Sequence, residues 1–119
     1  MIDVLLVEDD SWLADVFSRQ LTTSGARVRV AHHAFDAIQC VDEKVPDVMV
    51  LDMLLPGANG MTLLHEITTH SDLKKMKIVV CTTLSGAKLQ DLKPYGVVAV
   101  LDKSAMTSQE FVQTVLGAA

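Results

Sequence analysis

Five residues with chemically useful side chains each follow a short apolar segment of the chain: Glu8, Asp9, Asp52, Thr82 and Lys103. Short, nearly continuous apolar runs are typical of strands that are buried on both faces of a parallel sheet. Because such strands all end at the same edge of the sheet, we expect the five side chains to converge there. Loop composition explains polar residues after one strand, but not oxygen donors after three strands and an ammonium group after a fourth. The pattern therefore predicts a functional site.

The chemistry of this predicted site follows from the crowding of its acids. Carboxylates ~4 Å apart repel each other by about 4 kcal/mol per pair at an effective dielectric constant of roughly 20, so a cation must balance them. Oxygen donors without Cys or His favour Mg²⁺, and the sequence has no EF-hand loop that would favour Ca²⁺. The carboxylate of Asp52 can then attack phosphorus and form an aspartyl phosphate, with Thr82 and Lys103 contacting the phosphoryl oxygens. Asp10, a third acid beside the first two, is predicted to cap the first helix.

The elements that must position these residues alternate along the chain. Strands are predicted at residues 2–7, 26–31, 47–51, 77–81 and 97–101, and helical segments at 10–23, 34–41, 61–70, 87–92 and 108–116. This alternation predicts an α/β fold, (βα)5, in which a doubly wound five-stranded parallel sheet carries helices on both faces. Residues 26–31 alternate apolar and basic side chains, which predicts a strand near the sheet edge.

Composition narrows the function further. The chain has 119 residues, a formal net charge of −5 and no apolar run of membrane-spanning length. We therefore expect one soluble domain over residues 1–119 that binds neither membranes nor, without a basic patch, nucleic acids. Residues 1–59 carry ten acids against four bases, so the negative charge is concentrated in the half that holds the predicted acidic cluster. Cys40 and Cys81 form no disulfide or zinc-binding pattern, which predicts a cytoplasmic protein.

Four motifs in this order resemble the receiver domain of two-component response regulators. They are VEDD at Val7–Asp10, DMLLPGANG at Asp52–Gly60, Thr82 after an apolar strand and Lys103 after the next strand. The resemblance covers essentially the whole chain and implies the flavodoxin-like topology of receivers. It also implies a phosphoprotein of two-component signalling, which is not a conventional enzyme although it catalyses its own phosphorylation and dephosphorylation.

The resemblance assigns roles to the phosphoryl-handling residues. It implies that Asp52 takes a phosphoryl group from a histidine kinase or a histidine phosphotransfer protein. Thr82 would bind a phosphoryl oxygen and reorient on activation, and Lys103 would pair with the phosphoryl group. The conformational switch would then control an effector domain or protein target that the sequence does not identify, with formation of a homodimer on activation as one option.

The same resemblance implies a magnesium site. Asp9 and Asp52 would bind Mg²⁺ directly, Glu8 would act mainly through metal-bound water, and the backbone carbonyl of Leu54 would complete the protein ligands. The four histidines, at positions 32, 33, 65 and 70, show no ligand spacing with the acids and are predicted to be surface or helix-end residues.

The chain departs from the receiver pattern at two positions, and two more positions bear on the lifetime of the phosphoryl group. Val100 stands where receivers commonly carry an aromatic residue, so any output must work by displacement of the backbone or of helices. Ser104 stands where proline is common, which predicts a trans peptide and a less rigidly held Lys103. Leu54 and Leu84 offer no group to orient an attacking water, and we therefore expect slow self-dephosphorylation.

Other functions fit the sequence less well. A pseudo-receiver, an interaction module that works without phosphorylation, remains the alternative because of Val100 and Ser104. A phosphatase similar to haloacid dehalogenases requires a second acid two residues after the nucleophile, where Leu54 stands. An FMN-binding flavodoxin requires a phosphate loop after the first strand, where acids would repel the phosphate. The end of the chain a few residues after the last predicted helix leaves open a single-domain regulator, a relay protein or a receiver taken from a longer regulator.

Overall fold

A computed structural model describes residues 1–53, 60–69, 76–83 and 88–119. In these residues five strands alternate with five helices. The strands are β1 (Asp3–Val7), β2 (Arg27–Ala31), β3 (Val48–Leu51), β4 (Lys77–Thr82) and β5 (Val97–Asp102), and the helices are α1 (Ser11–Thr23), α2 (Ala34–Glu43), α3 (Gly60–Thr68), α4 (Leu89–Leu92) and α5 (Ser108–Ala118). The predicted (βα)5 order is confirmed, with element boundaries that differ from the prediction by a few residues.

The strands form one parallel sheet in the order β2-β1-β3-β4-β5. The chain moves outward from β1 to β2 and then crosses back to place β3 on the other side of β1. Loops that follow β1 and β3 therefore lead away from each other and leave a crevice between them, which is the usual ligand position in such sheets. The prediction that residues 26–31 form an edge strand is also confirmed.

Alternate residues of the strands build two apolar layers, because successive side chains of a strand point to opposite faces. One layer includes Val4, Leu6, Val50 and Val79 and packs against α1 and α5, which contributes Phe111. The other packs against α2, α3 and α4 and includes Leu5, Val7, Met49, Leu51 and Ile78. Burial of each such side chain contributes roughly 1.5–3 kcal/mol, so both faces hold the strand ends in fixed positions.

The two ends of α1 are fixed by a cap and a turn, which keeps the start of the helix next to Glu8 and Asp9. The side chain of Asp10 accepts hydrogen bonds from the backbone N–H groups of Trp12 at 2.9 Å and Leu13 at 3.1 Å, as predicted for a helix cap. At the other end, Gly25 adopts a φ of 100°, a conformation that disfavours residues with a Cβ, and turns the chain into β2. The helix therefore starts directly behind the acids.

The remaining helices differ in length from the predicted ones. The helix α4 has only four residues and continues as a 3-10 turn over Lys93–Tyr95. Pro94 lies in that turn, and its missing N–H and fixed ring oppose a longer α-helix. The described part of α3 ends at Thr68, and residue 70, where we predicted its end, lies outside the described residues. None of the helices in the described ranges has the length and hydropathy to cross a membrane.

Candidate functional site

Three carboxylates meet at the crevice between β1 and β3. Glu8 and Asp9 directly follow β1, and Asp52 directly follows β3. One oxygen from each carboxylate lies within 4.8 Å of the others. Glu8 and Asp52 are buried, whereas Asp9 is exposed. We call these three residues together with Lys103 the acidic pocket.

Lys103 reaches the pocket from the end of β5. Its Nζ donates a hydrogen bond to Oδ2 of Asp52 at 2.6 Å and a second, short one to Oε1 of Glu8. The lysine side chain is only 11% exposed, so it is not a solvated surface lysine. The sequence predicted that a cation must balance the acids and assigned that role to a metal ion. In the structure, the ammonium group of Lys103 already neutralises part of the negative charge of the carboxylates.

Burial and ion pairing act in opposite directions on the pocket. Burial raises the pKa of Glu8, the hydrogen bond and charge of Lys103 lower it, and burial prevails, so that the pKa is raised overall. Burial lowers the pKa of Lys103, but hydrogen bonds and charges from Asp52 and Glu8 outweigh it and raise the pKa above its ordinary value. The lysine therefore stays charged at neutral pH.

Thr82 ends β4, between the strands that carry Asp52 and Lys103. It is 3% exposed and pairs with Asp102 in the register of β4 and β5. Its carbonyl oxygen accepts a hydrogen bond from the backbone N–H of Lys103 at 3.1 Å. The backbone position of Lys103 is thus tied directly to that of Thr82, and the two residues lie at the same sheet edge as the carboxylates.

The last glycine of the DMLLPGANG motif, Gly60, also supports the site. The backbone N–H of Gly60 donates to the carbonyl of Met53 at 2.9 Å, next to Asp52. A Cβ on Gly60 would stand 2.6 Å from Cα of Met53, a distance that real side chains do not tolerate. The close approach of these two backbone segments therefore requires glycine. Leu54 and Leu84, for which we predicted a ligand role and a role in dephosphorylation, lie outside the described residues.

Three residues around the pocket make contacts that were not predicted from the sequence. Nδ1 of His32 lies 3.1 Å from the carbonyl oxygen of Glu8, a contact between the loops after β2 and β1 that no sequence spacing indicates. Asp102 and Ser104 flank Lys103 and hydrogen-bond to each other. An Asp followed two residues later by Ser is a known turn signal, so this pair could have been found.

The donor set of the pocket fits a hard divalent cation. Mg²⁺ prefers oxygen ligands and usually takes one or two carboxylates while keeping several waters. Glu8, Asp9 and Asp52 supply three carboxylates within 4.8 Å, and the one ammonium of Lys103 leaves the four groups with a net negative charge. A cation of this class would relieve the remaining repulsion.

The sequence of the chain matches a known family model, and its fold matches known structures. Residues 4–115 match the family model of the response regulator receiver domain. A putative response regulator from Chloroflexus aurantiacus is 28% identical, with a TM-score of 0.85 over 98% of this chain and 96% of that one. The chemotaxis response regulator CheY4 of Vibrio cholerae has the same fold, with 23% identity and a TM-score of 0.89 over 100% of this chain and 99% of that one. A LuxR-family DNA-binding response regulator from Staphylococcus aureus, 21% identical, matches in fold with a TM-score of 0.84 over 99% of this chain and 98% of that one.

Proposed function

Because the chain belongs to the response regulator receiver domain family, we propose that it accepts a phosphoryl group on Asp52 and switches conformation in response. The observation that carries this proposal is the acidic pocket, in which Asp52 is hydrogen-bonded to Lys103 beside two further carboxylates. The donor is a phosphohistidine of a kinase or a phosphotransfer protein. We further propose that residues 1–119 act as a single receiver domain in the cytoplasm.

The proposed reaction is a transfer between two side chains. A carboxylate oxygen of Asp52 attacks the phosphorus of the phosphohistidine, and an O–P bond forms as the N–P bond breaks. The electron pair of that bond stays on the departing imidazole. Lys103 bonds to Asp52, which supports its proposed role of attracting the charge of the incoming phosphoryl oxygens. The hydroxyl group of Thr82, at the end of the neighbouring strand, is the proposed partner of another phosphoryl oxygen.

The proposed reaction also uses a divalent cation held by Glu8, Asp9 and Asp52. The backbone carbonyl of Leu54 remains a proposed fourth protein ligand. When bound, Mg²⁺ would supply positive charge to the phosphoryl oxygens. Asp9 is exposed, whereas the buried Glu8 is held by Lys103, so Asp9 is the more accessible of the two acids.

The output of the switch is proposed to pass through backbone or helix displacement. Val100 is partly buried and packs against the apolar layer beneath α2, α3 and α4. Its branched aliphatic side chain has no ring whose rotation could signal the state of Thr82. An effector domain, a separate protein target or a homodimer of the activated chain could receive such a displacement.

Phosphorylation by a small donor tests the proposal directly. The protein is incubated with Mg²⁺ and acetyl phosphate, and its intact mass is measured together with the emission of Trp12, which is 71% exposed one turn from the acids. We expect a mass gain of one phosphoryl group and a change in emission. Asp52→Asn should abolish both effects, whereas Asp42→Asn, at an exposed position on α2, should leave both unchanged.

The same experiment decides between this function and the pseudo-receiver. The presence of Val100 in place of an aromatic ring favours the alternative, because such a chain lacks one device for reading the phosphorylated state. A wild-type chain that binds Mg²⁺ but gains no mass would overturn the proposal and support a phosphorylation-independent interaction module. A gain of mass that persists in Asp52→Asn would reject Asp52 as the acceptor.

A further inference from the structure

Lys103 occupies the first corner of a closed turn at the end of β5. Oδ1 of Asp102 accepts hydrogen bonds from the backbone N–H of Ser104 at 2.9 Å and from its hydroxyl group at 2.6 Å. The carbonyl oxygen of Asp102 accepts two more, from the N–H groups of Ala105 at 3.1 Å and Met106 at 2.9 Å. Side-chain bonds of this kind, from Asp to a residue two positions on, define an Asx turn. Four hydrogen bonds therefore fix the backbone on both sides of the lysine, which corrects the expectation that Ser104 in place of proline leaves Lys103 less rigidly held.

The two side chains that close the turn contribute little to the stability of the fold. Asp102 and Ser104 are both exposed, so their hydrogen bonds compete with water and contribute little to the free energy of unfolding. The hydrogen bonds from Ser104 also lower the pKa of Asp102, because they favour the charged carboxylate as the acceptor. The turn instead constrains the backbone of Lys103, which lies between Asp102 and Ser104. The backbone N–H of Lys103 is held by Thr82, and its other side is held by the turn.

The position of the Lys103 backbone matters because its side chain has a specific target. A lysine has a long flexible stem, and its ammonium group must reach across the end of β4 to Asp52 and Glu8. A displacement of about 1 Å at a group that acts on a transferring atom can slow a reaction up to about 100-fold. A turn that contributes little to stability can thus contribute strongly to the rate.

We propose that Asp102 and Ser104 are positioning residues for phosphoryl transfer, which hold the Lys103 ammonium against Asp52 through the Asx turn. This inference rests on the function proposed above. Neither side chain contacts the phosphoryl group, and both act only through Lys103.

The test compares the rate of phosphorylation by acetyl phosphate, at saturating Mg²⁺, among variants of the full chain. We expect Asp102→Ala and Ser104→Ala to slow phosphorylation about tenfold, within the range for misplaced groups, with a change in melting temperature too small to unfold the protein. Asp102→Asn keeps an acceptor oxygen and Ser104→Thr keeps the hydroxyl group, so both should restore most of the rate. Thr107→Ala is the matched control, because it removes an exposed cap of α5 that holds Glu110 but not Lys103. It should lower the melting temperature and leave the rate unchanged.

A second comparison, made in a protein that lacks the lysine, distinguishes positioning of Lys103 from a general structural effect of the substitution. In Lys103→Met, the group to be positioned is gone, so adding Asp102→Ala should cause no further slowing. The inference is overturned if Asp102→Ala leaves the wild-type rate unchanged, or if it slows the Lys103→Met protein by the same factor. Both outcomes leave phosphorylation of Asp52 intact as a function. A wild-type chain that is never phosphorylated would instead overturn the proposed function and this inference together.

Discussion

The two ends of β1 carry buried acids in contrasting surroundings. At the start of the strand, Asp3 is 5% exposed and contacts two cations, with Arg29 Nε at 3.4 Å and Lys44 Nζ at 3.2 Å. Its backbone N–H donates to the carboxylate of Asp47 at 2.8 Å. Arg29 also donates to the carbonyl oxygens of Cys40 at 2.8 Å and Lys44 at 2.7 Å, near the end of α2. We call Asp3, Arg29, Lys44 and Asp47 the basal cluster.

The acidic pocket at the other end of the strand has the opposite balance. Two acids and two bases make up the basal cluster, while three acids share one base in the pocket. Buried charges are tolerated when they are paired and hydrogen-bonded, and a surplus of like charge lowers stability unless another ion enters. The paired charges of the basal cluster therefore connect α2 to the sheet. The acidic pocket, by contrast, keeps a net negative charge that favours binding of a cation. Charge balance, rather than the presence of acids, distinguishes the two edges.

Removal of a cation from the balanced edge should give the largest effect. Among the described residues, Arg29→Ala would leave buried Asp3 with the exposed Lys44 as its one cationic partner, and it would remove the side-chain hydrogen bonds to two carbonyl groups at the end of α2. We expect a loss of about 2–3 kcal/mol in the free energy of unfolding, measured by urea denaturation. Phosphorylation of Asp52 in the protein that remains folded should be unchanged.

Arg27→Ala is the control for that prediction, since Arg27 lies on the same strand but is exposed. We expect it to change the free energy of unfolding by less than about 0.5 kcal/mol. If both substitutions cost the same, the basal cluster has no special stabilising role and the comparison between the edges fails.

Removal of an acid from the unbalanced edge should have a smaller effect of the opposite sign. Asp9→Asn relieves repulsion with Glu8 and Asp52, so without divalent metal we expect a gain of up to about 1 kcal/mol in the free energy of unfolding. In wild type, Mg²⁺ at ten times its dissociation constant should stabilise by about 1.4 kcal/mol, and this gain should largely vanish in Asp9→Asn. Thermal denaturation with EDTA and with Mg²⁺ measures both effects. If Asp42→Asn, on the exposed face of α2, behaves as Asp9→Asn does, net charge rather than the pocket is responsible.

Some features of the fold and of the acidic pocket depend on local sequence, whereas others depend on contacts between distant residues. The alternation of strands and helices and the edge position of β2 follow from hydrophobic pattern, because each depends on short stretches of sequence, whereas the strand order was implied only by the resemblance to receiver domains. That Glu8, Asp9, Asp52, Thr82 and Lys103 lie at one edge of the sheet was predictable, because each lies at the end of a strand or within two residues after it. By contrast, the bond between Lys103 and Glu8 joins residues 95 positions apart and depends on how two loops meet in the folded sheet. The role of Arg29 was missed for the same reason: its alternating pattern indicates an edge strand and says nothing about which carbonyls it reaches.

The smallest expected effect is a pH dependence of the free energy of unfolding that arises from Glu8 in the acidic pocket. Burial raises the pKa of Glu8 above its ordinary value of 4.5, so just above pH 4.5 the folded protein binds more protons than the unfolded chain. Stability should therefore fall as the pH rises from that value through the raised pKa, by a fraction of the ~1.4 kcal/mol per pH unit that one proton allows. Glu8→Gln cannot titrate and should flatten this decline in urea denaturation without divalent metal, whereas Glu66→Gln, at an exposed position on α3, should keep it. A decline of equal slope in both variants would mean that Lys103 already compensates Glu8 fully, and that the two edges of the sheet do not differ in charge balance as their geometry indicates.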